Sequence, residues 1–111
     1  MHEMTQKKLN EKAEHTMKTF LEDVANTITS ERMEKYGRPA VNYMRIAGLW
    51  SSVDTSREFY SEKDVVIAMI LTKIGRLMES PTHKDSWQDI AGYAAVGWSI
   101  VSELYKVDDD D

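Results

Sequence analysis

Two pairs of charged side chains border apolar helical sequence, and they are the strongest candidates for chemistry. Lys73 and Arg76 are three residues apart and Asp85 and Asp89 are four apart, so each pair shares one face of a helix. Both pairs lead directly into apolar sequence, so we expect their charges to lie beside a core. A charge in that position is costly unless it is paired or binds a ligand.

These two pairs allow two interpretations. Asp85 and Asp89, on one helical turn, can hold Mg²⁺, which prefers oxygen ligands and keeps waters for a phosphorylated substrate. Lys73 and Arg76 can then contact phosphate, because Arg suits bidentate recognition and Lys a point-charge contact. Alternatively, Asp85 caps a helix and Asp89 forms an interhelical salt bridge with Lys73 or Arg76. The residues alone leave both interpretations open.

A second group of polar residues lies upstream, on either side of a turn. Glu31 and Glu34 have the spacing of paired metal ligands on a helix, which is also common on surface helices. Arg32 and Tyr36 lie on a different face of the same helix from these two glutamates and can face a pocket. Asn42 follows the turn and can either read a base or sugar edge or cap the next helix.

Other residues that often do chemistry give weaker indications. Trp87 lies between the two aspartates and can stack on a base, although its spacing also suits a core or an interface. His83 sits beside the aspartate pair and can contact a phosphate or remain solvated. The sequence has no Ser/His/Asp arrangement, no glycine loop of the phosphate-binding type and no zinc-ligand spacing.

Composition bounds the class of protein. The 111 residues predict one domain, and 41% hydrophobic with 30% charged residues is typical of a folded globular chain. The net charge is −5, and the tail Asp108–Asp111 supplies four of those negative charges. The rest of the chain therefore lacks the positive field of a protein that binds duplex nucleic acid. The absence of cysteine excludes disulfides and thiolate metal sites.

The sequence also predicts a location. Met1 to Asn10 is polar and lacks the apolar stretch of a signal peptide. The chain has no run of about 18 apolar residues, so we expect no membrane span. We therefore expect a cytoplasmic protein, with one helical domain over 1–107 and a disordered acidic tail over 108–111.

The elements that must position these residues are predicted to be helices, because helical periodicity is the dominant pattern of the sequence. The spacing predicts a first helix over about 8–35, weakened at Thr27–Thr29, where a separate short helix can begin at Thr29 or Ser30. Gly37 ends this region and Pro39 can start the next helix, over about 41–51.

Two further helices complete the prediction. Ser61 with Asp64 resembles a capping box and begins a helix that runs to about Glu79. Its run Val65–Leu71 is apolar nearly all round, which favours a central position. Thr82 or Asp85 caps the last helix, which reaches about Val107 and carries small residues where another helix can approach closely, namely Ala91, Gly92, Ala94, Ala95 and Gly97. The expected fold is an all-α bundle of four or five helices.

These motifs, in this order and spacing, resemble a small family encoded mainly by phages and prophages and known only as a domain of unknown function. The resemblance covers about Glu31 to Val101. Its first half is carried by Arg32…Tyr36-Gly37-Arg38-Pro39…Asn42-Tyr43…Ile46-Ala47…Leu49-Trp50, and its second half by Lys73-Ile74-Gly75-Arg76…Pro81-Thr82-His83-Lys84-Asp85-Ser86…Asp89-Ile90-Ala91-Gly92-Tyr93-Ala94-Ala95.

That family in turn is similar to the MazG-like all-α nucleoside triphosphate pyrophosphohydrolases. Those enzymes hold Mg²⁺ with a Glu-x-x-Glu and a later Glu-x-x-Asp, and cleave between the α and β phosphates. The resemblance assigns Glu31 and Glu34 to the first pair and Asp85 and Asp89 to the second, where Asp replaces Glu and the spacing is four. It also implies a MazG-like bundle and a homo-oligomer, either a dimer or a tetramer.

Three functions are compatible with these residues. The first is a Mg²⁺-dependent nucleotide pyrophosphohydrolase, in which the four carboxylates bind metal and the two cations bind phosphate. The second is a protein that binds a nucleotide signal without turnover, with a nucleotide site formed by Arg32, Tyr36, Asn42, Lys73, Arg76 and Trp87. The third is a phage protein that binds and redirects a host protein through exposed apolar residues of its long first helix.

Overall fold

A computed structural model describes residues 5–54 and 60–105, and these residues form an all-α bundle. The helices are α1 (Gln6–Ile28), α2 (Ser30–Tyr36), α3 (Pro39–Val53), α4 (Glu62–Glu79) and α5 (Lys84–Leu104). None of these helices is long and apolar enough to cross a membrane. The acidic tail and the predicted end of the last helix at 106–107 lie outside the described residues.

The first predicted helix is two helices, so the prediction of one continuous element over 8–35 is wrong and the alternative break at Thr29 is confirmed. Thr29 adopts an extended conformation, and its hydroxyl donates to the carbonyl of Ala25. Gly37 ends α2 with φ at 85°, in the region that favours glycine because it has no Cβ. Pro39 then occupies the first turn of α3, where its missing N–H costs nothing.

The predicted capping box at the start of α4 is confirmed. The Asp64 carboxylate accepts from the Ser61 backbone N–H at 2.8 Å, and the Ser61 hydroxyl accepts from the Asp64 backbone N–H at 3.4 Å. Just before this cap, the Tyr60 ring meets the Trp50 ring edge-on with centroids 5.7 Å apart. These contacts join the end of α3 to the start of α4.

The start of α5 differs from the prediction that Thr82 or Asp85 caps it. His83 is the N-cap residue, with an extended backbone, and its side chain does not cap the helix. Its Nδ1 instead hydrogen-bonds the Ser86 hydroxyl at 2.7 Å, and Ser86 is fully buried. Asp85 therefore lies within the first turn, where the helix dipole favours a carboxylate.

The core is formed by one face each of α3, α4 and α5. Ala40, Val66 and Ile100 are its buried centre, and Tyr43 and Tyr93 pack against them. Gly97 allows α5 to approach α4, since a Cβ placed there would lie 3.1 Å from Val66 Cγ1. The predicted close-approach side of α5 is thus confirmed at Gly97 and Gly92.

The long helix α1 packs along α5 on the other side of the bundle. A Cβ placed at Gly92 would lie 3.4 Å from Ile28 Cγ2, so the two helices approach closely there. Val24 is the only residue of α1 that is buried, and residues 6–19 are exposed. The carboxyl-terminal half of α1 therefore holds this helix against the rest of the chain.

The prediction that α4 is central to the bundle is wrong. Its inner face, including Val65, Val66 and Leu77, is buried against α3 and α5. Its outer face, including Ile67 and Leu71, is exposed, because α1 packs against α5 and α2 rather than against α4. Local periodicity detects an apolar face but not whether another helix covers it.

Two glycine substitutions are expected to change stability in opposite directions. Gly48→Ala places a methyl group in open space on α3 and should raise the free energy of unfolding by roughly 0.5–1 kcal/mol, since Gly is unfavourable within a helix. Gly97→Ala should lower it, because the new Cβ crowds Val66. Urea denaturation of the two variants against wild type measures both, and equal effects would contradict the close contact at Gly97.

Candidate functional site

A pocket of about 240 Å³ lies where α1, α2 and α3 meet the first half of α5. We call it the α1–α5 pocket. It is lined by Asp23, Val24, Thr27, Ile28, Arg32, Tyr43, Asp85, Gln88, Asp89, Gly92, Tyr93 and Val96. This volume lies below the range usual for drug-sized ligands, so the pocket suits a small ligand.

The polar lining is predominantly acidic. Asp23, Asp85 and Asp89 contribute three carboxylates, and Arg32 contributes one guanidinium. Carboxylates are acceptors only and guanidinium is a donor only. A ligand that fits this lining must offer hydrogen-bond donors along α5 and an acceptor or an anion next to Arg32.

A small cavity of about 50 Å³ adjoins the α1–α5 pocket on the side of α2. The two share Ile28, Arg32, Tyr43 and Val96. Tyr36 and Asn42 line this second cavity, and the Arg32 guanidinium lies 5.1 Å from the centre of the Tyr36 ring. Three residues predicted for a nucleotide site, namely Arg32, Tyr36 and Asn42, therefore lie together.

The alternative that Asn42 caps α3 is wrong, because Arg38 is the N-cap residue.

Lys73 and Arg76 do not line this pocket. The Lys73 ammonium lies 3.2 Å from Asp89 Oδ2, and only 16% of the Lys73 side chain is exposed. This ion pair joins α4 to α5 and is the interhelical salt bridge that the sequence offered as an alternative. Arg76 is exposed in the last turn of α4.

Three of the four predicted metal ligands have described side chains, and these three do not come together. Asp85 and Asp89 line the α1–α5 pocket, whereas Glu34 is exposed on α2 and lines neither cavity. The side chain of Glu31 lies outside the described residues. Among the described side chains, no group of three His, Cys, Asp or Glu could hold a metal ion. The three described donors therefore do not form a magnesium site by themselves.

Trp87 lies apart from the two aspartates that flank it in sequence. Its indole N–H donates to the carbonyl of Pro81 at 2.9 Å, and its ring lines an apolar groove with Met17, Phe20 and Leu21 of α1. About half of Trp87 is exposed. The helix turns its side chain away from the α1–α5 pocket, so stacking of Trp87 on a base in that pocket is excluded by this geometry.

The ionisation of Tyr43, which lines the pocket, is perturbed by its surroundings. Burial raises the pKa of its phenol above the ordinary value of 10.0, and nearby Tyr93 raises it further, while Arg32 acts in the opposite direction. The neutral phenol is therefore the form that the folded protein favours. It offers one donor and one acceptor at the back of the pocket.

This shift predicts a pH dependence of stability. The unfolded chain loses the Tyr43 proton at a lower pH than the folded chain, so the free energy of unfolding should fall as pH rises above the unfolded pKa and through the folded one. Tyr43→Phe should make this alkaline loss smaller. Urea denaturation at a series of alkaline pH values, in wild type and variant, checks the difference. Identical slopes would contradict the shift.

Sequence reasoning missed five polar or aromatic residues of the pocket. Gln88 and Tyr93 continue the helical face of Asp85 and Asp89 at steps of three and four residues, so extending that face along α5 would have found them. Asp23 and Thr27 are four apart on α1, but only the packing of α1 on α5 places them in the pocket. Tyr43 packs against the core from α3 and also lines the pocket, and no charge or paired spacing in the sequence marked it as a site residue.

Comparison with known proteins identifies relatives but no solved structure. Residues 19–101 match the family described as "Domain of unknown function (DUF6378)". The "Gene 55 protein" of Mycobacterium phage L5 is 42% identical over 78 residues, which cover 70% of this chain and 49% of the relative. The "Gene 55 protein" of Mycobacterium phage D29 is 40% identical over 88 residues, covering 79% of this chain and 54% of the relative.

The chain spans about half the length of both phage relatives. No solved structure matches it. The match to the family extends from the middle of α1 through nearly all of α5, and so includes every residue that lines the α1–α5 pocket. On this evidence the chain belongs to the DUF6378 family, and the phage proteins named above are its relatives.

Proposed function

We propose that this protein binds a nucleotide, with the nucleoside in the α1–α5 pocket and the phosphate next to Arg32. One observation carries the proposal. Arg32, Asp85 and Asp89, which the sequence had selected for their chemistry, line one pocket although more than fifty residues separate Arg32 from the aspartates. Charged side chains gathered around a concave surface are a usual mark of a binding site.

The chemistry of the lining supports this arrangement of the ligand. The carboxylates of Asp23 and Asp85 and the amide of Gln88 can accept hydrogen bonds from the N–H groups of a base or the hydroxyls of a sugar. Val24 and Val96 supply apolar surface for the rings. Arg32 is placed at the boundary of the two cavities, where its guanidinium can bind phosphate.

The proposal is binding rather than hydrolysis. The described carboxylates do not form a three-ligand group for Mg²⁺, and Asp89 is paired with Lys73. No catalytic step is therefore assigned to a metal ion. A protein that binds a nucleotide without turnover can sequester a nucleotide signal in an infected cell, and we expect it to act in the cytoplasm of the host.

A panel of nucleosides, nucleoside monophosphates and nucleoside triphosphates, each with and without Mg²⁺, tests the proposal. The melting temperature should rise with at least one nucleotide, since a ligand that binds only the folded state stabilises it by mass action. Chromatography of the same mixtures reports products. A rise without products supports binding alone, pyrophosphate release would support the pyrophosphohydrolase instead, and no shift with any compound would overturn nucleotide binding.

The second candidate function is recognition of a host protein. The apolar groove formed by Met17, Phe20, Leu21 and Trp87 favours it, since Met17 and Leu21 are more than half exposed. An amphipathic helix of a partner could lie in such a groove. The absence of any thermal shift or product in the nucleotide panel would favour this function over nucleotide binding.

A further inference from the structure

The outer face of α4 carries an apolar stripe. Ile67, Leu71, Ile74 and Met78 are 51%, 61%, 42% and 84% exposed. Their steps of four, three and four residues keep them in one line along the helix, as in a coiled-coil seam. The opposite face of the same helix is buried in the core through Val65, Val66 and Leu77.

A helix that is apolar on both faces is usually buried on both faces. In the described part of the chain, α3 and α5 cover only the inner face of α4. The stripe adjoins Gly75, and a Cβ placed there would meet nothing within 4 Å. Glycine is disfavoured within a helix, but here it leaves room for the backbone of a second helix to come close.

We propose that a second copy of this chain covers the stripe, in a two-fold dimer whose α4 helices pack antiparallel. The spacing of the stripe is the same read in either direction. Antiparallel pairing thus places Ile67 opposite Met78 of the second copy and Leu71 opposite Ile74 of the second copy. Every apolar side chain of the stripe then meets another, as a self-complementary interface requires.

The charges at the ends of α4 favour this direction. The first turn of α4 carries the exposed Lys63 between Glu62 and Asp64, and the last turn carries Arg76 and the exposed Glu79, while the four residues of the stripe are uncharged. Antiparallel pairing brings Lys63 of one copy and Glu79 of the other to the same end of the seam, whereas parallel pairing would group like charges. The two helix dipoles also oppose each other in the antiparallel arrangement.

The first test is the oligomeric state. Wild type should sediment as a dimer, and Leu71→Glu should sediment as a monomer or dissociate at least roughly tenfold more readily, because antiparallel pairing buries a charge beside Ile74 of the second copy. Leu49→Glu is the matched control, since Leu49 on α3 is 62% exposed, lies off the stripe and lines none of the pockets described above. Circular dichroism checks that both variants keep their helices, which we expect because both leucines are exposed.

The second test is the direction of pairing, and the lack of native cysteine makes it direct. Oxidation of Ile67→Cys alone, or of Met78→Cys alone, should give no cross-linked dimer. An equal mixture of the two variants should give one, because a disulfide requires Cα atoms closer than about 7 Å. The two positions are eleven residue steps apart, which corresponds to roughly 16 Å of helix, so a cross-link at one end of the stripe cannot be mistaken for one at the other end.

Three results would overturn the proposal. Wild type could remain monomeric up to the highest concentration at which it is soluble. Leu71→Glu could remain as dimeric as Leu49→Glu, which would place the interface elsewhere. Each single cysteine variant could cross-link with itself, which would show parallel pairing.

Discussion

Ile100→Ala is expected to lower the free energy of unfolding by about 2–5 kcal/mol, the range for truncation of a large aliphatic side chain in a closed core. Ile100 is 1% exposed and packs with Ala40 of α3 and Val66 of α4. The loss is large because three helices meet at this side chain, so a cavity there cannot close by the movement of one helix. Urea denaturation followed by circular dichroism measures it.

Two further variants show whether the loss arises from packing. Ile100→Val removes one methylene group and should cost about 0.5–1.5 kcal/mol. Leu49→Ala removes a side chain that is mostly exposed on α3, and should stay within about 0.5 kcal/mol of wild type. A cost for Ile100→Ala no greater than that for Leu49→Ala would mean that α3, α4 and α5 do not share a close-packed core.

Local signals in the sequence predicted most helix boundaries. The capping box of Ser61 and Asp64, the proline at the start of α3 and the glycine after α2 each act through the backbone of neighbouring residues. Their effect does not depend on the rest of the fold. The break at Thr29 was harder to predict, because α1 and α2 continue one apolar pattern and only the conformation of a single residue separates them.

Long-range packing was the part that the sequence did not reveal. The run Val65–Leu71 predicts an apolar surface on every side of α4, but the position of α1 decides which side is covered. The same limit applies to Asp23, which enters the α1–α5 pocket only because Gly92 lets α1 approach α5. The lining residues on the helical face that begins at Asp85 could in principle have been predicted from the sequence, since Gln88 and Tyr93 repeat its spacing.

The two cations of α4 show how helical geometry separates residues of similar chemistry. Lys73 faces α5 and pairs with Asp89, whereas Arg76 is exposed. Arg76 follows Lys73 by three residues, which is less than the 3.6 residues of a full helical turn. The Arg76 side chain is therefore rotated away from Asp89, which Lys73 contacts. The magnesium site and the nucleotide were suggested by residue types and spacing as well as by resemblance, and the MazG-like arrangement by resemblance alone. All three stay predictions.

Arg32→Ala is expected to weaken nucleotide binding by roughly 10- to 100-fold, because a hydrogen bond to a charged group contributes about 1.5–3 kcal/mol and each 1.4 kcal/mol is a factor of ten. Arg32 is exposed, so the stability of the free protein should change little. Arg45→Ala is the matched control, since Arg45 is exposed on α3 and lines neither cavity. Titration calorimetry with the nucleotide identified in the panel measures the affinities.

Comparison of a nucleotide with its nucleoside separates a phosphate contact at Arg32 from a general effect on the pocket. If Arg32 binds phosphate, Arg32→Ala should weaken the nucleotide and leave the affinity for the nucleoside nearly unchanged. Asp85→Asn should weaken both, because its carboxylate faces the nucleoside in the proposed arrangement. Equal losses of nucleotide and nucleoside affinity in Arg32→Ala would contradict the assignment of phosphate to Arg32, since the guanidinium would then support the pocket rather than contact the charged group.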